Sequence, residues 1–173
     1  MSLTVSDLII PILVYPRRLK HLIFDIRKRG QILASSDDEI SLLVNELIRY
    51  GITDVLLFGL PFKRDQNGTS AADKFGAVQV ATKEIKREIG SAVNVITDVC
   101  VCQYNFSGHC GIWDKNCDNV DNLKSLSLLN KIANSHAESG ADCVAPSSMM
   151  DGQVYSIRKS LDSGGFGAVK IMS

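Results

Sequence analysis

Residues 94–102 read NVITDVCVC. Side chains alternate across a β-strand, so Val95, Thr97, Val99 and Val101 fall on one face and Ile96, Asp98, Cys100 and Cys102 on the other. The first face suits packing against helices. The second turns acidic and thiol-rich towards its C-terminal end. In an open parallel sheet covered by helices on both sides, both faces of a strand are expected to be apolar. One-sided polarity suits the upper interior of a barrel, where the C-terminal ends of the strands carry the site.

Similar apolar, β-branched segments recur on either side: LIIPILV (8–14), ITDVLLFGL (52–60), ADCVAPS (141–147) and AVKIMS (168–173). Helical patterns lie between them. In SSDDEISLLVNELIRYG, Ser36 and Glu39 have the spacing of a capping box. Ile40, Leu43, Val44, Leu47 and Ile48 then form one stripe, and Gly51 ends the helix. VQVATKEIKREIG places Val78, Ala81, Ile85 and Ile89 inward. LKSLSLLNKIANSHAESG does the same with Leu126, Leu129, Ile132, Ala133 and Ala137. A shorter helix holds Val154, Ile157 and Leu161 before Gly164. Alternation of strand and helix implies a parallel sheet with right-handed crossovers. Five such units fit an open doubly wound sheet or an incomplete (β/α)8 barrel, since a full barrel takes about 250 residues. Without a linker or low-complexity stretch, residues 1–173 read as a single, partial barrel domain.

Composition narrows the function. The formal net charge is zero and the pI about 6.8, with no basic stripe to suit nucleic acid. The longest early apolar run is far shorter than the roughly 20 residues of a membrane helix, and it lacks the marks of a signal peptide. A cytoplasmic, reducing setting is the expectation. There, clustered cysteines are more often metal ligands or catalytic groups than disulfides.

The segment DVCVCQYNFSGHC (98–110) holds Cys100, Cys102 and Cys110, with His109 beside the last. Three thiolates suit zinc, and three protein ligands leave a position open for water or substrate. The spacing is not that of a zinc finger. The plain alternative is a set of buried reduced cysteines. Cys117 and Cys143 lack such company, and Cys143 reads as core.

DVCVCQYNFSGHCGI resembles the zinc-binding segment of the porphobilinogen synthase family, also called delta-aminolevulinic acid dehydratase. DLIIPILV and GITDVLLFGLP are similar to the family's first two strands. SHAESGADCVAPSSMMDGQVYSIRKSLDSGGF is similar to a following helix, strand and helix. The resemblance covers nearly the whole chain. It implies a (β/α)8 (TIM) barrel that condenses two molecules of 5-aminolevulinate into porphobilinogen, on the route to haem and other tetrapyrroles. It implies zinc held by Cys100, Cys102 and Cys110, an active-site aspartate at Asp98 and a serine at Ser147, in a homo-oligomer. His109 matches a histidine beside the metal.

Departures accompany the likeness. Ser148 stands where the family usually has aspartate. The family's two Schiff-base lysines lie beyond the matching KIMS, and its N-terminal arm is reduced to a few residues here. If Ser173 points into the barrel, Lys170 points outward or towards the N-terminal rim. The polar loop PFKRDQNGTSAADKFG (61–76) suits either a cover for the site or a solvated excursion, with Lys63, Arg64 and Lys74 facing solvent. His136 reads as packed, and His21 has no motif around it. Two other readings stay open. One is a non-catalytic zinc-binding half-barrel that self-associates. The other is a doubly wound domain that binds another small molecule.

Overall fold

A computed structural model describes residues 3–17, 19, 32–37, 39–114, 116 and 118–173. His21 and Cys117 lie outside the described residues. The strands are β1 (Ile9–Tyr15), β2 (Leu33–Ser35), β3 (Asp54–Gly59), β4 (Asn94–Asp98), β5 (Cys143–Ala145) and β6 (Lys170–Ile171). They form one parallel sheet in the order β2-β1-β3-β4-β5-β6. The helices are α1 (Ile40–Arg49), α2 (Ala77–Glu88), α3 (Asn122–Glu138) and α4 (Gln153–Ser163). Strand β2 was not anticipated. Its three residues are too few to show a periodic pattern.

Strand order alone does not decide the architecture, because an open sheet can also place β1 between its neighbours. The two faces decide it. Val55 and Leu57 of β3 and Val95 of β4 bury against Ile40 and Val44 of α1 and Val78, Ala81 and Ile85 of α2. Val99, Val101 and Val144 bury against Leu129, Ile132 and Ala133 of α3 and Ile157 and Leu161 of α4. Each such valine, leucine or isoleucine contributes about 1.5–3 kcal/mol of burial. The alternate residues Ile96, Cys143 and Ala145, with Leu56, make a small separate cluster without a helical member. The sheet is therefore one-sided, like the wall of a barrel.

Three details depart from the sequence reading. Strand β4 ends at Asp98, before Cys100, because the chain turns where the Val101 carbonyl accepts the N–H groups of Tyr104 (2.9 Å) and Asn105 (3.1 Å). Alternation persists beyond the ladder because Val99 and Val101 stay anchored in the helix-side core. The Ser36–Glu39 capping box does not form. The Ser36 N–H donates to the Tyr15 carbonyl, and the Glu39 carboxylate accepts from Ser35 N–H and the Tyr15 hydroxyl. Val154 is 40% exposed, so α4 packs through Ile157 and Leu161.

Lys170 pairs in register with Cys143, which pairs with Ile96, so it shares the concave face. Ile171 packs on the helix side. Lys170 therefore points inward rather than outward. It lies one row below Asp98 and lines a shallow cleft with Asn94 and Asp142 at the N-terminal ends of the strands. At that same end, Lys86 Nζ bridges Asp142 (2.5 Å) and the Val93 carbonyl (2.9 Å), and Asp142 accepts Val95 N–H (2.7 Å). This ties the starts of β4 and β5 together and sets the register that carries Asp98.

His136 is buried on α3, and neither ring nitrogen has a hydrogen-bond partner among the described residues. Burial pulls its imidazole down to about 3 from an ordinary 6.5. The unfolded chain takes up a proton that the folded chain refuses. The stability this residue contributes is thus complete above pH 6.5 and is lost as pH falls from there towards 3. Urea titrations between roughly pH 7.5 and 4.5 are expected to show a loss approaching about 1.4 kcal/mol per pH unit, and His136→Phe a shallower one. Equal slopes in the two proteins would contradict this.

Candidate metal centre and active site

Beyond β4 the chain continues over the C-terminal end of the sheet, with Cys100 and Cys102 on the side of Asp98. The turn at Val101 brings Cys110 back to them. Cys100 and Cys102 Sγ are 3.3 Å apart, and all three sulfurs lie within 4.8 Å of one another. Among the described residues no other group of His, Cys, Asp or Glu converges closely enough to hold a metal ion. Burial pushes the Cys100 and Cys102 thiols up, and hydrogen bonds between the two residues oppose only part of that rise. A cation among the sulfurs reverses that balance and favours the thiolates.

Asp98 is buried and doubly held. Its Oδ1 accepts the Ser147 hydroxyl (2.5 Å), and its Oδ2 accepts Gln103 Nε2 (3.0 Å). Burial raises its carboxyl above the usual range, and the two hydrogen bonds oppose that rise. The structure thus brings Asp98 and Ser147 into direct contact. It also brings the three cysteines together. Gln103 was missed, since nothing in its sequence setting distinguishes it from a surface amide.

The loop that carries Cys110 is fixed on several sides. Asn105 is fully buried, donates to the His109 carbonyl (2.8 Å) and accepts Gly108 N–H (2.8 Å). His109 Nδ1 accepts Gly111 N–H (3.0 Å), and its ring lies 5.2 Å from that of Trp113. Ile112 N–H donates to Ser125 Oγ at the start of α3 (2.8 Å). Asn105 was also missed. Within YNFSG it reads as a turn residue, although a polar side chain between two aromatics is a usable signal for a buried amide.

The loop 61–76 is not a free excursion. Asp65 N–H donates to the Tyr104 carbonyl (3.2 Å), and Phe106 N–H donates to the Asp65 carbonyl (3.0 Å), so it backs the cysteine loop. Burial raises the Asp65 carboxyl, but hydrogen bonds from Thr69, Asn67 and Gly68 outweigh this and hold it below the usual range. Lys63, Arg64 and Lys74 are exposed, as expected. A cleft of about 450 Å³ beside this loop is lined by Gln66, Trp113, Lys124 and Lys131 and contains no candidate site residue.

These features together are those of one enzyme family. The delta-aminolevulinic acid dehydratase family matches residues 1–173. The chain belongs to this family. A delta-aminolevulinic acid dehydratase of Methanothermus sociabilis is 43% identical over 172 residues, covering 99% of this chain and 52% of that protein. That of Ruminiclostridium josui is 42% identical over 138 residues, covering 80% of this chain and 66% of that protein. The Toxoplasma gondii ME49 enzyme, crystallised with the reaction product porphobilinogen, is 28% identical and matches with a TM-score of 0.86. That match covers 99% of this chain and 48% of the Toxoplasma chain. The chain spans about half the length of the curated relatives that match it from end to end. Its sheet and helices are part of the family's TIM barrel.

Gly59 ends β3 beneath the site. A Cβ there would collide with the Tyr104 hydroxyl oxygen and meet Val78 Cγ2 at 2.9 Å. Tyr104 is itself buried, and burial, then the nearby Asp98, Cys100 and Cys102, pushes its phenol up. Gly59→Ala is expected to cost about 1–3 kcal/mol in urea unfolding, from overpacking. Because the closest clash is with the hydroxyl oxygen, a Tyr104→Phe background is expected to recover part of the loss. Additive losses in the double variant would contradict this.

Proposed function

We propose that this chain supplies the metal-binding and carboxylate side of a porphobilinogen synthase active site, which condenses two molecules of 5-aminolevulinate into porphobilinogen for tetrapyrrole (haem) biosynthesis. The observation that carries this reading is the convergence of Cys100, Cys102 and Cys110 within 4.8 Å, on the side of the sheet where Ser147 holds Asp98. The donors fit zinc. Bonds of about 2.3 Å at tetrahedral angles separate sulfurs by about 3.8 Å, and here one pair is 3.3 Å apart and none is more than 4.8 Å. Three sulfurs also leave a fourth position for a substrate atom.

Held by these cysteines, zinc supplies a Lewis acid for a substrate carbonyl or amine. Asp98 does the protein's own proton work. Buried beside the three sulfurs, its carboxylate is placed to orient a substrate ammonium and accept its proton. Ser147 and Gln103 fix the direction of that carboxylate. Family membership supports the substrate, and the family's Schiff-base lysines are expected in later strands of the same barrel. We assign residues 1–173 to that single barrel domain, in a homo-oligomer. A reducing cytoplasm would keep the thiols available. No helix among the described residues is long and apolar enough to cross a membrane.

Protein isolated in reducing, chelator-free buffer is expected to carry about one zinc per chain by elemental analysis, and Cys102→Ser to lose most of it. In full-length protein, Asp98→Asn is expected to keep the zinc and lower porphobilinogen formation by about 100-fold or more. Zinc-free wild-type protein, or full activity in Asp98→Asn, would contradict the assignment.

A further inference from the structure

Ser147 and Ser148 are adjacent in the loop between β5 and α4, and they reach different parts of the site. Ser147 Oγ donates to Asp98. Ser148 Oγ donates to the carbonyl of Cys110, at 2.8 Å, and Ser148 is buried. The loop is braced from below. Gln153 Nε2 donates to the Ser148 carbonyl (2.7 Å), and Asp151 N–H donates to Asn122 Oδ1 (3.1 Å). A second contact joins the same two loops. A Cβ on Gly111 would meet Met150 Cε at 2.9 Å, so the backbone beside Cys110 lies against Met150. The other ties on the Cys110 arm, from Asn105, His109 and Ser125, come from its own loop or from α3. Ser148 supplies the hydrogen bond that crosses to the loop after β5, beside the packing contact of Met150.

We propose that Ser148 is a positioning residue for the metal centre. It fixes Cys110 from the same short loop that fixes Asp98, so a shift of the third thiolate and a shift of the carboxylate are one motion. The inference rests on the proposed zinc site. Holding a ligand's backbone in place determines how much of the binding energy is spent on ordering the loop. Loss of an outer partner of this kind typically lowers metal affinity by about 10–100-fold.

Threonine and valine are nearly isosteric, and of the two only threonine keeps the hydroxyl. Cobalt(II), whose thiolate charge-transfer absorption reports sulfur ligation, is titrated into wild type, Ser148→Thr and Ser148→Val. Amide exchange across residues 109–111 is measured in the metal-free proteins. Ser148→Thr is expected to bind like wild type, and Ser148→Val about 10-fold more weakly, with faster exchange at 109–111. Ser148→Ala repeats the contrast without added bulk. Equal affinity and equal exchange for the threonine and valine variants would overturn the proposal. Wild type that binds no cobalt would overturn the zinc site itself. The exchange difference would then decide the Ser148 tie separately.

Discussion

Three thiols held within 4.8 Å of one another cannot all ionise in a buried setting unless a cation stands among them. Burial raises Cys100 and Cys102; Cys110 adds to the rise at both, while the hydrogen bond with Cys100 partly offsets it at Cys102. Without a cation the three thiols stay neutral. A metal ion among them would favour the thiolates, and the triad is arranged closely enough to hold one. Asp98 meets the same constraint by another route. Burial raises it, and two neutral donors, Ser147 and Gln103, partly offset the cost.

The surrounding backbone is built around this cluster. The site sits where three βα loops meet. Asp65 joins the loop after β3 to Tyr104 and Phe106, Asn105 folds the loop after β4 on itself, and Ser147 and Ser148 bring in the loop after β5. Gly59 leaves room for Tyr104 beneath the cysteine cluster. At the opposite end of the strands, Lys86 and Asp142 lock the start of β4 to the start of β5. Rigid register at one end and stitched loops at the other are what place side chains from separate strands against one another. This is the usual arrangement for a site at the C-terminal face of a barrel.

Much of this was legible in the sequence because it follows from periodicity. The alternation through NVITDVCVC gave the concave face, and the apolar stripes gave the inner sides of α1, α2 and α3. His136 was read as packed and is buried. The failures share a cause. Sequence patterns register which way a residue points but not where a ladder stops. Residues 99–102 therefore looked like strand, and Glu39 looked like a helix cap although it serves Ser35 and Tyr15. Of the two placements expected for Lys170, the N-terminal rim holds and the outward one fails, because its face follows its register with Cys143. Gln103, Asn105 and Ser148 were invisible as site residues because each acts through a hydrogen bond to a group brought near only by folding.

The coordination shell itself is the most direct test of the account. X-ray absorption at the zinc edge of the metal-loaded protein reports the number and kind of ligands and their distances. Three sulfur atoms at about 2.3 Å with one lighter oxygen or nitrogen atom is the predicted shell. A shell without sulfur, or a closed one of four sulfurs, would contradict an open three-cysteine site beside Asp98.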